Sequence, residues 1–206
     1  MHGNVRALAD ISIWRKPDVT FDRFLEIDLG GRTVELWHFG PGNAPGDTVV
    51  YAPSAKVAWT GNFLGHSRIA PMLLEGSPVL HVASLKAMKE TLDVRTIVPG
   101  HGPVDDAQPA INSMIAYLEW LYDAVSERVR AGDGESDLID LVPPPDLLRL
   151  PAGAPGRDQL EKLNLQMHRL NVHGHVPDFA RWRVIPRSRA PEIPPFDVRF
   201  GFRRSS

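Results

Sequence analysis

The sequence predicts an α/β (α+β) fold, a mixed β-sheet packed by helices and followed by a disordered basic C-terminal tail, and three observations carry that prediction. Between residues 24 and 60, apolar residues alternate in short runs at the two-residue period of half-buried strands. From His81 to Leu92 the period becomes helical, and a short β-branched run follows at residues 95–98. A long apolar stripe over residues 108–130 then marks an amphipathic helix.

Each element follows from its local pattern. Phe24-Leu-Glu-Ile-Asp-Leu29 and Thr33-Val-Glu-Leu-Trp-His-Phe39 flank Gly30-Gly31-Arg32, a turn whose glycines permit positive φ, so the stretch reads as a β-hairpin. Thr48-Val-Val-Tyr51 and Lys56-Val-Ala-Trp-Thr60, split by Ala52-Pro-Ser-Ala55, add two strands and a second tight connection. Val82, Leu85, Met88 and Leu92 recur at helical spacing, and Arg95-Thr-Ile-Val98 is too short and too β-branched for anything but a buried strand. The long helix carries Ile111, Ile115, Leu118, Leu121 and Val125 on one stripe and ends at Gly132 and Gly134. Proline enrichment makes residues 141–155 an irregular connection, with a further helix at residues 158–170. Beyond Pro177 the periodicity disappears, and seven arginines face only Asp178, Glu192 and Asp197, which predicts a poorly ordered basic tail. The expected division is an N-terminal segment at 1–19, a domain at 20–175 and an Arg/Pro-rich tail at 176–206.

Composition narrows the chemistry. A chain of 206 residues that is 43% hydrophobic and 23% charged suits one globular domain with a real core. A net charge of -2 gives no reason to expect a nucleic-acid or lipid partner, and the tail arginines lack the interleaved aromatics of a nucleic-acid-binding module. The absence of cysteine excludes disulfides, thiolate-zinc sites and cysteine nucleophiles, so a metal would need His, Asp, Glu or weaker oxygen donors. No apolar run has the length of a membrane helix or the form of a secretory signal at the N-terminus, and a cytoplasmic location is the expectation.

Three loops, each following a predicted strand, carry the most specific signal: Gly40-Pro-Gly-Asn-Ala-Pro-Gly-Asp47, Thr60-Gly-Asn62 and Val98-Pro-Gly-His-Gly-Pro103. In order and spacing they resemble the metallo-β-lactamase superfamily, whose corresponding loops read Gly-His-Thr-Pro-Gly-Asp, Thr-Gly-Asp and Pro-Gly-His-Gly. The resemblance covers roughly residues 20–130. It implies the C-terminal half of an αββα sandwich, with metal ions, usually zinc, at the strand ends, and metal-activated water attacking an ester, thioester or lactam carbonyl.

Carried over position by position, the resemblance also implies a depleted metal site. His101 keeps the histidine of the third loop, Asn43 stands where the first loop has histidine, and Asn62 stands where the second has a carboxylate. An asparagine amide is neutral and offers only a carbonyl oxygen, so zinc is weakly supported. Asp47 matches an aspartate that braces backbone amides in the family rather than touching metal. The family's His-x-His-x-Asp-His motif would precede residue 20 and is not found; His173-Gly174-His175, followed by Asp178, has the wrong order and reads as a helix-end accident. No catalytic residue is assigned. His38 and His66 flank the loops off the ligand positions and are expected to be satisfied, partly buried histidines, while Trp37, Trp59 and Trp120 are expected to pack in the core, and Trp182 falls in the tail.

The resulting expectation is a hydrolase-like protein that hydrolyses only if its ligands are completed elsewhere. The alternatives are a non-catalytic relic (a pseudoenzyme) or self-associating partner protein of the same fold, or the product of a truncated reading frame. Half of a sandwich exposes an apolar sheet face and open strand edges, so a homo-oligomer or a second chain is expected to cover them.

Overall fold

The computed structural model describes residues 17–73, 77–138 and 140–175; the expected tail with Trp182 and most of the N-terminal segment lie outside them. The elements are β1 (Phe24–Asp28), β2 (Thr33–Trp37), β3 (Val49–Ala52), β4 (Val57–Gly61), α1 (Pro78–Thr91), β5 (Thr96–Pro99), β6 (Asp105–Asp106), α2 (Ala107–Arg130), a 3-10 turn (Glu135–Leu138), α3 (Pro145–Leu148) and α4 (Arg157–His175). The fold is mixed α/β, with a six-stranded sheet in the order β1-β2-β3-β4-β5-β6.

The hairpin turn forms as its glycines require, with Gly30 at φ 80° and Gly31 at φ 115°. Its register sets Phe24 opposite Trp37 and Asp28 opposite Thr33. All neighbouring strands are antiparallel except β4 and β5, which run parallel and are joined through α1. A parallel pair needs such a crossover, because a short turn cannot return the chain to the same end of the sheet.

Strand alternation separates two faces. Trp37, Val49, Tyr51, Ala58 and Ile97 are buried and join one apolar cluster with Leu85 and Met88 of α1 and Ile111, Leu118 and Leu121 of α2. The intervening residues point the other way. Trp59 therefore corrects the expectation of core packing: it lies between buried Ala58 and Thr60 on β4 and is 45% exposed. Trp37 is buried and Trp120 packs against the cluster from its edge.

Other boundaries shift for physical reasons. α1 begins at Pro78, four residues before the first position of its apolar pattern, Val82, because proline suits a first helical turn where an amide has no partner. The two-residue β6 pairs with Thr96 and Ile97 and is too short to leave a periodic trace. The connection at 141–155, expected to be irregular, contains α3, and α4 runs on to include His173 and His175. Among the described residues, no helix is long and apolar enough to cross a membrane.

α4 docks through polar side chains. Asn164 accepts from the Ala70 amide (2.9 Å) and donates to Arg68 O (2.7 Å) and Leu148 O (3.0 Å). Two turns further along the same face, Asn171 accepts from the Leu73 amide (3.0 Å) and donates to Pro71 O (2.7 Å) and the Tyr117 hydroxyl (3.2 Å). Between them, His168 Nε2 donates to Leu141 O (2.7 Å), which leaves Nδ1 to accept from the Tyr117 hydroxyl at 3.0 Å. The asparagine bonds pair four backbone groups of the irregular segment 68–73: the Ala70 and Leu73 amides and the Arg68 and Pro71 carbonyls. Asn171→Ala strands the Leu73 amide and the Pro71 carbonyl, while the Tyr117 hydroxyl keeps its bond to His168, and is expected to lower unfolding stability by about 2–4 kcal/mol in urea titration.

His81 of α1 is fully buried, and its Nε2 donates to Phe63 O at 2.7 Å. Burial pulls its pKa from 6.5 down to about 4, against the opposing pull of the Phe63 carbonyl and Asp47. The unfolded chain therefore binds a proton below pH 6.5 that the folded chain refuses until about pH 4. Stability is complete above pH 6.5 and is lost as pH falls toward 4, by about 3 kcal/mol. Burial lowers the His168 pKa too, so it adds to the loss in the same direction. Unfolding free energies measured between pH 7.5 and 4 should show this slope, and His81→Gln, which keeps a donor for Phe63 O, should reduce it.

Candidate functional site

The direction of the strands decides which loops meet. β2 and β4 are each antiparallel to β3, and β5 is parallel to β4, so the C-terminal ends of β2, β4 and β5 share one edge of the sheet. Those are the ends from which the three loops leave, and their residues form the candidate site.

In the first loop, Asp47 Oδ2 accepts from the backbone amides of Asn43 (2.6 Å) and Ala44 (3.3 Å), and His38 Nδ1 donates to Asp47 O (2.8 Å). A carboxylate that takes two amide bonds stiffens the turn around it. Glycine is needed at position 42, where a Cβ would stand 2.6 Å from Asp47 Oδ2 and 2.7 Å from the Phe63 ring. Asn43 is buried at 2% exposure, and its Nδ2 has no hydrogen-bond partner among the described residues.

The second and third loops touch. Gly61 lies opposite Pro99, the Gly100 amide donates to Gly61 O at 2.8 Å, and a Cβ on Gly100 would come within 3.2 Å of Asn62 Oδ1. Gly61 itself takes a φ of 54° as the chain leaves the sheet. Asn62 and His101, both exposed, line one pocket of about 150 Å³ whose other walls come from residues 69–72, α2 and α4. The structure thus brings together Asn62 and His101 and places Asn43 outside that lining, beneath its own loop.

Beside the third loop, His66 Nδ1 donates to Ser67 O (2.8 Å), and its Nε2 lies 3.7 Å from Asp105 Oδ2. Burial pushes the Asp105 carboxyl up, but hydrogen bonds from Ser67 and the Asp106 amide, with His66 nearby, hold it below the usual carboxylate range. His81 lies under the first two loops, and its Nδ1 is buried without a partner among the described residues. It was missed as a buried polar residue, although it shares a helical stripe with Leu85, Met88 and Leu92.

The donor set can be tested against zinc. A catalytic zinc takes about three protein ligands, chiefly imidazole and carboxylate. The three expected positions supply one imidazole and two neutral amides, one of them buried apart from the others. Among the described residues, no three His, Cys, Asp or Glu gather closely enough to hold a metal ion. The residues described do not fit a zinc centre.

Comparison with known proteins agrees with the loops. The model of the metallo-beta-lactamase superfamily matches residues 3–101, a span that includes all three expected ligand positions and ends on His101. No curated protein matches the chain. A metallo-beta-lactamase from Pontibacter korlensis is 23% identical, with a TM-score of 0.47 over 56% of this chain and 54% of its own. The stereoselective inverting sec-alkylsulfatase Pisa1 from Pseudomonas sp. is 16% identical, with a TM-score of 0.53 over 76% of this chain and 26% of its own. At such identities the likeness is one of fold, and the chain spans about half the length of the lactamase it matches. Three codirectional strands deliver the three loops to one sheet edge, and over residues 3–101 the chain is similar to the metallo-beta-lactamase superfamily.

Proposed function

We propose that the chain is a hydrolase-like protein whose strand-end edge receives a substrate, and that hydrolysis of an ester, thioester or lactam there depends on metal donors supplied from elsewhere, by a second chain. The observation that carries this reading is the pairing of Asn62 with His101 in one pocket, an acceptor-poor remnant at positions where the superfamily places ligands. One imidazole beside a neutral amide falls short of the ligand number and charge that zinc needs. The monomeric chain is therefore expected to carry well under one zinc by elemental analysis and to leave chromogenic ester, thioester and lactam substrates intact. Asn62→Asp sets a carboxylate beside the imidazole and should raise zinc affinity about tenfold in calorimetric titration. A wild-type monomer that holds zinc at one per chain and loses hydrolysis on chelation would overturn the proposal.

A second reading, self-association without catalysis, is favoured by the outer face of the sheet. Leu25, Leu36, Val50, Trp59 and Val98 stand opposite one another in turn across five strands and form an apolar row. Trp59, the most exposed residue of that row, is the residue a second copy would cover, since large apolar patches on a sheet face favour burial. Light scattering at micromolar concentration should then report a dimer or larger assembly, and Trp59→Arg should shift it toward monomer. A wild-type monomer under those conditions would remove this reading.

A further inference from the structure

The pocket beside Asn62 and His101 has a composition that the strand-end loops do not explain. Among the described residues that line it, only those two side chains carry hydrogen-bonding groups; the rest of that wall is apolar. Ile69 and Met72 come from the irregular segment, Met114 from α2, and Leu163 and Met167 from α4. One glycine lets the wall close: a Cβ on Gly102, whose φ is 93°, would press within 3.3 Å of the Ile69 side-chain tip. The α4 wall is held in place by the Asn164 and Asn171 bonds to residues 68–73, so two sides of the pocket are tied to each other.

The volume of about 150 Å³ sets the size of the occupant. A dry apolar cavity of roughly that volume admits a group of about six carbons. Three methionines among the walls suit a flexible chain better than a rigid ring, because their unbranched thioethers repack around different shapes. The polar end also has a chemistry. The Asn62 amide donates and accepts, and the His101 imidazole does the same, so a carbonyl or amide head at the mouth finds partners there.

We infer that this pocket binds an aliphatic acyl chain of about six carbons, with the methylenes among Met72, Met114, Met167 and Leu163 and the carbonyl group against Asn62 and His101. The inference deepens the hydrolase-like reading and rests on it for calling the chain part of a substrate. Binding itself needs no metal and no turnover, so the two are separable by experiment.

Hexanamide, titrated into the full chain with methyl-labelled methionine, provides the test. The Met72, Met114 and Met167 methyl resonances should shift saturably, while that of Met88, buried in the core away from the pocket, should stay in place. Each methylene removed should weaken binding about fourfold, so butanamide binds about sixteenfold more weakly than hexanamide. Leu163→Trp, which fills the pocket, should abolish the shifts with the unfolding midpoint retained. Met167→Ala, which enlarges it, should move the preferred length toward octanamide. Absence of saturable shifts, equal binding at every chain length, or undiminished binding in folded Leu163→Trp would each overturn the inference. Chain-length-dependent binding without hydrolysis in any assembly would instead reject the hydrolase-like reading and leave the pocket intact.

Discussion

Where β4 and β5 run side by side in the same direction, Val57 faces Thr96 and Gly61 faces Pro99, and the candidate site hangs on that pairing. An antiparallel neighbour in place of β5 would send its following loop to the far edge of the sheet. Because the pair is parallel, both strands release their chains at one edge, and the Gly100 amide can bond Gly61 O across the gap. The cost is a crossover longer than any turn, and α1 supplies it while burying Leu85 and Met88 against the sheet. The same helix seats His81 beneath the loops, where its bond to Phe63 O ties the crossover to the second loop.

The opposite wall of the site is built on a different principle. α4 exposes Leu165 and Leu170 and buries Asn164, His168 and Asn171 beside Val172, so polar groups share its inner face with apolar ones. The polar share makes sense because its partner is irregular backbone. Amides and carbonyls at residues 68–73 would be stranded against an apolar helix face, whereas asparagine can donate and accept at once. Such a network, fully satisfied, specifies one geometry more sharply than apolar contact does.

At the strand ends, chemistry and geometry diverge. The first loop is braced by Asp47 and kept close by Gly42, so its backbone shape is tightly specified. At two of the three expected ligand positions the loops present amides, Asn43 and Asn62. Backbone shape depends on glycines and one carboxylate, while ligation depends on separate residues, so a loop can keep its form when its donors change.

The sequence by itself determined the first five strands, the helix before the fifth and the long helix, because period and turn glycines are local properties of the chain: the hairpin at Gly30 and Gly31 and the helix ending at Arg130 are readable without any partner. It also marked the three loops and the substitution of amides for stronger donors, since residue identity needs no coordinates. Short β6, the outward face of Trp59 and the polar docking of α4 left no comparable trace, for each depends on what lies across from the residue rather than beside it in sequence. Only the tertiary structure decided that Asn62 and His101 share a pocket while Asn43 is buried apart, because strand direction and the placement of α4 set which loops and walls meet.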